Sequence, residues 1–291
     1  MKFEPLSVSD RDLFCRSAAV LGQTDSESAF TTVFLWKDYF KYSYLFKNNT
    51  FTLISGKSKT APFHTFPLGD GDVKTTVLLL RDFFLAEYGD YFIRGLTEKT
   101  KAMLEELLPG MFEFEEKRAM EDYVYNTADL INLPGKKYHA KRNHLNKFLS
   151  AYNWTYKKID ETNIEKCAEF VRRITAERNP DPYYEIIAMN LLFENYFRLG
   201  ATGGFIEIDG QIAAVSVGEK MGDTALIQVE KADTAFDGAY AAINQIFLKN
   251  EFADTRFVNR EEDMGVAGLR KAKMSYHPAF LYKKYIAKPI K

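Results

Sequence analysis

The chain of 291 residues is 46% apolar and carries 24 Phe and 17 Tyr, which excludes a disordered chain and leaves room for one large domain or two. Its 40 Asp and Glu against 39 Lys and Arg give a formal charge of -1, so no global field draws it to nucleic acid or an anionic membrane, and any recognition of phosphate is local. The opening MKFEPLSVSD lacks the apolar segment of a signal peptide and no apolar run approaches the roughly 20 residues that span a bilayer, which points to a soluble cytoplasmic protein.

In chain order the pattern predicts a strand at Phe3, a helix from Ser9, a second helix through FTTVFLWKDYF, and the strands YSYLF, FTLIS and PFHTF. A helix VKTTVLLLRDFFLAEY, a strand YFIRG, a helix EKTKAMLEELL and the strands MFEFEE and DYVYN close the first half. Pro134-Gly135 in INLPGKKYH then breaks the pattern. Beyond it KKYHAKRNHLNKFLSAY is helical, NWTYKKID is a strand, TNIEKCAEFVRRITAER is a helix broken by NPDP, and YYEIIAMNLLFENYFRLG is a helix closed by Gly200. GFIEIDGQIAAVSVGEKMGDTALIQVE supplies three strands turned at Asp209-Gly210 and Met221-Gly222-Asp223. A helix GAYAAINQIFLKNEFA, a strand TRFVN, a short helix in VNREEDMGVAGLRKAKMSYHP and a strand AFLYKKYIA finish the second half.

The two halves repeat one element order: strand, two helices, three antiparallel strands, helix, strand, helix, strand. That order resembles the GNAT acyltransferase fold, and two such units in tandem also describe the aminoacyltransferases that build peptidoglycan bridges. The expected architecture is α+β, with GNAT-like units at residues 1–134 and 135–291, each a mixed, mostly antiparallel sheet flanked by helices.

Two stretches of the second half carry charge in unusual places. In KKYHAKRNHLNKFLSAY the apolar stripe through Tyr138, Leu145, Phe148, Leu149 and Tyr152 also passes through Lys141 and Arg142. A cation at such a position calls for an anion, either a carboxylate or a ligand phosphate, unless both side chains snorkel to water. In VNREEDMGVAGLRKAKMSYHP, Glu261, Glu262 and Asp263 precede Arg270, Lys271 and Lys273 as the helix macrodipole favours, but that leaves Gly265 and Gly268 unexplained. Each costs about 1 kcal/mol against Ala within a helix, so close approach of a ligand or of backbone is the natural reason for the pair. Arg270 and Lys273, three apart, are expected on one helix face with Lys271 turned elsewhere.

KYHAKRNHLNKF and VNREEDMGVAGLRKAKMSYHP together resemble the two signatures of the C-terminal domain family of bacterial phosphatidylglycerol lysyltransferases, a likeness that extends over most of the chain. Asn259, Arg260, Glu261, Asp263, Gly265, Gly268, Leu269, Arg270, Lys273, Ser275, Tyr276 and Pro278 fit the second pattern. The resemblance implies a tandem GNAT-like fold and acyl or aminoacyl transfer, with the site mainly in the second unit. No counterpart of the family's membrane-embedded flippase part lies within these 291 residues, which leaves the acceptor open.

In GNAT enzymes the loop from the fourth strand into the following helix holds the acyl-CoA pyrophosphate on backbone N–H groups. Here it reads EKADTAFDGAYAAI: Gly238 and Ala239 suit a backbone approach, whereas Asp233 and Asp237 repel phosphate. PLGDGDVKTTV is its acidic counterpart in the first half. Transfer of this kind needs an aligned nucleophile, a polarised carbonyl and a base rather than a covalent nucleophile. Glu230 and Asp263 are the candidate bases, and Arg260 is the candidate catalytic cation. Lys141, Arg142, Arg270, Lys273, Gly265, Gly268 and Tyr276 are expected to bind substrate or its anion. Cys15 and Cys167 form no disulfide framework, Cys167 lies on an apolar helical face, and His139 and His144, five apart, offer no metal pair. The leading expectation is an acyltransferase using acyl-CoA. The alternatives are transfer from aminoacyl-tRNA to a lipid or peptide, and an inactive transferase fold that binds a ligand or partner.

Overall fold

The computed structural model describes residues 1–56 and 61–290. The first sheet begins with β1 (Glu4–Pro5), followed by helices α1 (Arg11–Ala19), α2 (Phe30–Leu35) and α3 (Lys37–Phe40). Strands β2 (Ser43–Lys47), β3 (Thr50–Ser55) and β4 (Phe63–Thr65) come next, and the β2–β3 turn is made by Asn48 and Asn49 at φ 51° and 55°. Helix α4 (Val73–Tyr88) starts where Asp72 accepts from the Thr75 N–H and stops at left-handed Gly89, leading to β5 (Phe92–Leu96), α5 (Glu98–Leu107) and β6 (Phe112–Glu116). β2, β3 and β4 pair antiparallel while β4 and β5, joined by α4, run parallel.

The second sheet repeats this plan. After β7 (Asp122–Asn126), α6 (Thr127–Asn132) and α7 (His139–Ala151) come β8 (Trp154–Lys158), α8 (Ile164–Arg178), α9 (Tyr183–Glu194) and α10 (Tyr196–Leu199). Strands β9 (Thr202–Ile208), β10 (Gln211–Met221) and β11 (Thr224–Ala232) form antiparallel hairpins, the first turned by Asp209 and Gly210, both at positive φ. Helix α11 (Ala239–Glu251) crosses to β12 (Phe257–Asn259), parallel to β11, and α12 (Ala267–Met274) leads to β13 (Phe280–Tyr282) and β14 (Tyr285–Pro289). Ile243, Ile246 and Phe247 of α11 pack with Leu145 and Phe148 of α7 and with Ile206, Ala225 and Ile227 of the sheet, so the apolar periodicity of both helices is a core stripe. The fold is thus α+β, two mixed sheets flanked by helices in the tandem GNAT-like plan.

The division expected at Pro134 is not where the sheets divide. The strand orders are β1-β2-β3-β4-β5-β14-β6 and β13-β7-β12-β11-β10-β9-β8. Thus DYVYN, expected in the first unit, is β7 of the second sheet, and AFLYKKYIA, expected as one strand, is β13 of the second sheet and β14 of the first. One compact unit comprises residues 1–122, 262–266 and 282–291, and the other 123–261 and 267–281. Side-chain alternation makes each of these segments a strand but says nothing of which edge it joins.

Candidate active site

The site in the second unit begins with a fault in the β10–β11 ladder. Val217 pairs with Val229 and the next residue, Gly218, with Ile227, so Gln228 is an extra residue in β11. Ala225 and Ile227 before it and Ala232 after it all belong to the core beneath α11. The bulge therefore reverses the alternation and turns Glu230 toward α11, where strict period two would have sent it to the other face. Gly218 is required opposite, because a Cβ there would lie 2.5 Å from the Leu226 carbonyl oxygen.

Glu230 is engaged at both oxygens. Arg260, just beyond β12, donates Nη2 to Oε1 at 2.7 Å, and Asn244 of α11 donates Nδ2 to Oε2 at 2.9 Å. The Arg260 guanidinium lies 5.0 Å from the centre of the Tyr276 ring and 5.8 Å from that of Tyr125. The Lys141 ammonium sits over the same Tyr276 ring at 3.9 Å. Tyr276 is held in turn by Tyr138, whose hydroxyl donates to its carbonyl at 3.0 Å. Burial pushes the Tyr276 phenol up to about 12 against the opposing pull of Arg260, so it stays protonated. Burial works against the charge on Arg260 and Glu230 restores it, leaving the guanidinium charged and raised above its ordinary range. Lys141 goes the other way: burial first, then the Arg260 charge, lower its pKa, and Glu230 offsets them only in part.

The loop that aims Arg260 is strained and clamped. Glu261 has φ 55°, a left-handed conformation that is costly for this residue type, and its N–H donates to Asn259 Oδ1 at 2.8 Å. Buried Lys273 donates to the carbonyl oxygens of Arg260 at 2.6 Å and Glu261 at 3.1 Å, and Tyr125 donates to the Lys273 carbonyl at 2.9 Å.

Four of the expected site residues, Lys141, Glu230, Arg260 and Tyr276, come together here. Others do not. Arg142 turns onto the carbonyl oxygens of Leu133 and Gly135, the latter at 2.6 Å, and fastens the turn before α7 instead of binding an anion. Lys273 points inward to backbone carbonyls while Arg270 is half-exposed, so the two present no common cationic face. Asp263 falls in the first unit, fully buried, bonded to the Gly265 N–H at 2.8 Å and to Arg118 at 3.4 Å, which makes it a turn-closing group rather than a free base. Helix α12 starts only at Ala267, so Gly265 is a loop residue at φ 77°, and a Cβ on Gly268 would meet nothing within 4 Å.

The expected cofactor loop is closed by the protein itself. Gly238 has φ 86°, and a Cβ there would run into the His144 carbonyl oxygen and lie 3.0 Å from Phe148 Cβ, both on α7. The neighbouring Asp237 bonds Lys147, and its N–H donates to the Tyr152 hydroxyl at 3.1 Å, while Ala239 is buried in the core. The counterpart in the first unit is filled likewise: Cβ atoms on Gly69 and Gly71 would strike the carbonyls of Asn49 and Asn48. Gly238 thus admits α7 rather than a pyrophosphate. Cys167 is a core residue whose thiol burial pushes up to about 12. Among the described residues no group of three His, Cys, Asp or Glu side chains is placed to hold a metal, and no helix is long and apolar enough to cross a membrane.

Asn244 and the Gln228 bulge escaped the sequence reading. Asn244 sits in the apolar stretch AAINQIF as a lone polar residue on the buried side of a helix, which is a signal, though one that names no partner.

The family described as phosphatidylglycerol lysyltransferase, C-terminal, matches residues 18–288. A conserved protein of unknown function from Bacteroides thetaiotaomicron VPI-5482 has 31% identical sequence and a crystal structure superposing with TM-score 0.90 over 100% of both chains. L-PGS from Bacillus licheniformis, 13% identical, shares the fold with TM-score 0.69 over 99% of this chain and 93% of that one. An uncharacterised protein of Mycoplasmoides gallisepticum is 26% identical over 176 residues, a match covering 58% of this chain and only 56% of that relative.

Proposed function

Because the chain belongs to the family of phosphatidylglycerol lysyltransferase C-terminal domains, we propose that it transfers an aminoacyl group from the ester of an aminoacyl-tRNA to a hydroxyl or amine of a lipid or peptide acceptor. The observation that carries this reading is the pair of cations over Tyr276: among the described residues the Lys141 ammonium has no hydrogen bond or ion pair, and the Nη1 of the enclosed Arg260 has no partner. An unpaired buried guanidinium nitrogen costs free energy unless a ligand oxygen meets it. The packing of α7 against Gly238 weighs against the acyl-CoA donor first expected, because it accounts for that glycine without a pyrophosphate.

In the proposed reaction the ester carbonyl accepts from Arg260 Nη1, which stabilises the negative charge that grows on that oxygen. The Lys141 ammonium, made more acidic by burial and the Arg260 charge, first releases a proton to solvent; the acceptor oxygen or nitrogen then bonds to the carbonyl carbon and its proton passes to the Lys141 amine. The bond to the ribose oxygen then breaks and Lys141 returns the proton to that leaving oxygen. Glu230, bonded at both oxygens, positions Arg260 and Asn244 and is not the base first expected.

The test is transfer of labelled amino acid from charged tRNA to phosphatidylglycerol vesicles or to a peptide amine, with acyl-CoA as the competing donor. Arg260→Lys keeps the charge but loses the fork, and is expected to lower turnover about a hundredfold with folding retained. Turnover of acyl-CoA with none from any charged tRNA would refute the proposal.

A further inference from the structure

Glu230 divides its two oxygens between Asn244 and Arg260, and each of these side chains is left with one buried polar atom that has no partner among the described residues: Asn244 Oδ1 and Arg260 Nη1. The amide orientation is fixed by chemistry, because a carboxylate only accepts and so the Asn244 nitrogen must face Glu230. Asn244 is 2% exposed, which makes its bare oxygen an anomaly on the buried face of α11. The two atoms call for opposite partners beside one carboxylate, a donor for Asn244 Oδ1 and an acceptor for Arg260 Nη1. A simple acyl group supplies an acceptor but no donor. An aminoacyl ester supplies both, an ammonium and a carbonyl separated by one carbon.

We infer that Asn244, backed by the Glu230 charge, recognises the free α-ammonium of the aminoacyl donor while Arg260 Nη1 holds its carbonyl, so that Asn244 is a specificity-determining residue. The inference rests on the transfer reading above and names its donor class: α-amino esters with an unmodified amine. Both atoms are closed off from water in this structure, so the donor enters by moving a side chain. Lys141, half-buried over Tyr276 and without a hydrogen bond among the described residues, is the group least tied in place. The competing occupant is a single water, which also donates and accepts.

The experiment measures calorimetric affinity of the full chain for methyl esters of a panel of amino acids and for their Nα-acetyl counterparts. At least one free-amine ester is expected to bind the wild-type protein at least about tenfold tighter than its acetylated form, the scale of one charge-assisted hydrogen bond. Asn244→Leu should remove that preference. The wild-type comparison needs no variant, so it decides even if the Leu substitution impairs folding. Equal binding of both forms, absence of ester binding, or a preference that survives in folded Asn244→Leu overturns the inference in favour of the water. Transfer from charged tRNA, assayed separately, stands or falls on its own: transfer without amine preference removes this inference alone, and loss of transfer removes the reading beneath it.

Discussion

Replacing Gly238 by Ala separates a packing glycine from a ligand-binding one. At φ 86° the new Cβ meets a backbone penalty of about 1–2 kcal/mol. It also enters the His144 carbonyl and stands 3.0 Å from Phe148 Cβ, so α7 must shift although its Leu145 and Phe148 are packed in the core. Overpacking of that kind costs about 1–3 kcal/mol, and the combined loss of about 2–5 kcal/mol is a large part of the stability of an ordinary domain. Gly210, at φ 80° with nothing within 4 Å of its Cβ, carries the backbone penalty alone and is the control. Urea unfolding should move the midpoint of Gly238→Ala down well beyond that of Gly210→Ala, with the slope unchanged. If the two variants lose equal stability, or if Gly238→Ala keeps its midpoint and loses donor binding, the packing argument is wrong and the loop is a ligand site after all.

Gly268→Ala, in an exposed turn of α12 with open space around it, should raise stability by about 0.5–1 kcal/mol and leave turnover unchanged; lower turnover in the stabilised protein would show that substrate passes over that glycine. Lys273→Met deprives the Arg260 and Glu261 carbonyls of their donor and should cost about 2–4 kcal/mol by thermal or urea unfolding, whereas full stability with lost affinity would restore Lys273 to an anion-binding role. In the first unit burial raises the Glu27 carboxyl, but Lys284 and Arg94 overcome this and hold it below its ordinary 4.5. The unfolded chain then binds the extra proton first, so this stabilisation is complete above about pH 4.5 and is lost as pH falls through the depressed native value. Glu27→Gln should flatten that acid limb in a pH series of melting temperatures, and an unchanged limb would rule the pairing out as its cause.

The hairpins were legible because Asp209-Gly210 and Gly222-Asp223 encode their own backbone conformation, and α7, α8 and α11 because their apolar stripes have period 3.6. Lys141 stood out as a cation on an apolar stripe and Arg260 as part of the second signature, and the structure brings both over one ring. Arg142 shared the stripe of Lys141 and Lys273 the signature of Arg260, but their partners are backbone carbonyls, which leave no trace in a sequence. Glu230 was chosen for its place at a strand end, yet the face it occupies depends on one extra residue at Gln228 that alternation alone cannot register. Gly238 suited a phosphate because close approach by a ligand and by a carbonyl of the same chain demand the same missing Cβ.

The exchange of β7 and β14 between the two sheets sets a condition on how the protein comes into being. As the chain leaves the ribosome, β5 and β6 are complete by residue 116, but the strand that must lie between them ends at Pro289, so the first sheet stays split until the whole second sheet has been made. β7, made early, has no sheet to join until β12 appears. A fragment ending at residue 134 therefore carries an unfilled slot and a strand without a home, both templates for pairing with another chain. Each half is finished only by the other's last strand, so gene fusion, truncation or limited proteolysis at the apparent midpoint should yield sticky fragments rather than two independent folds.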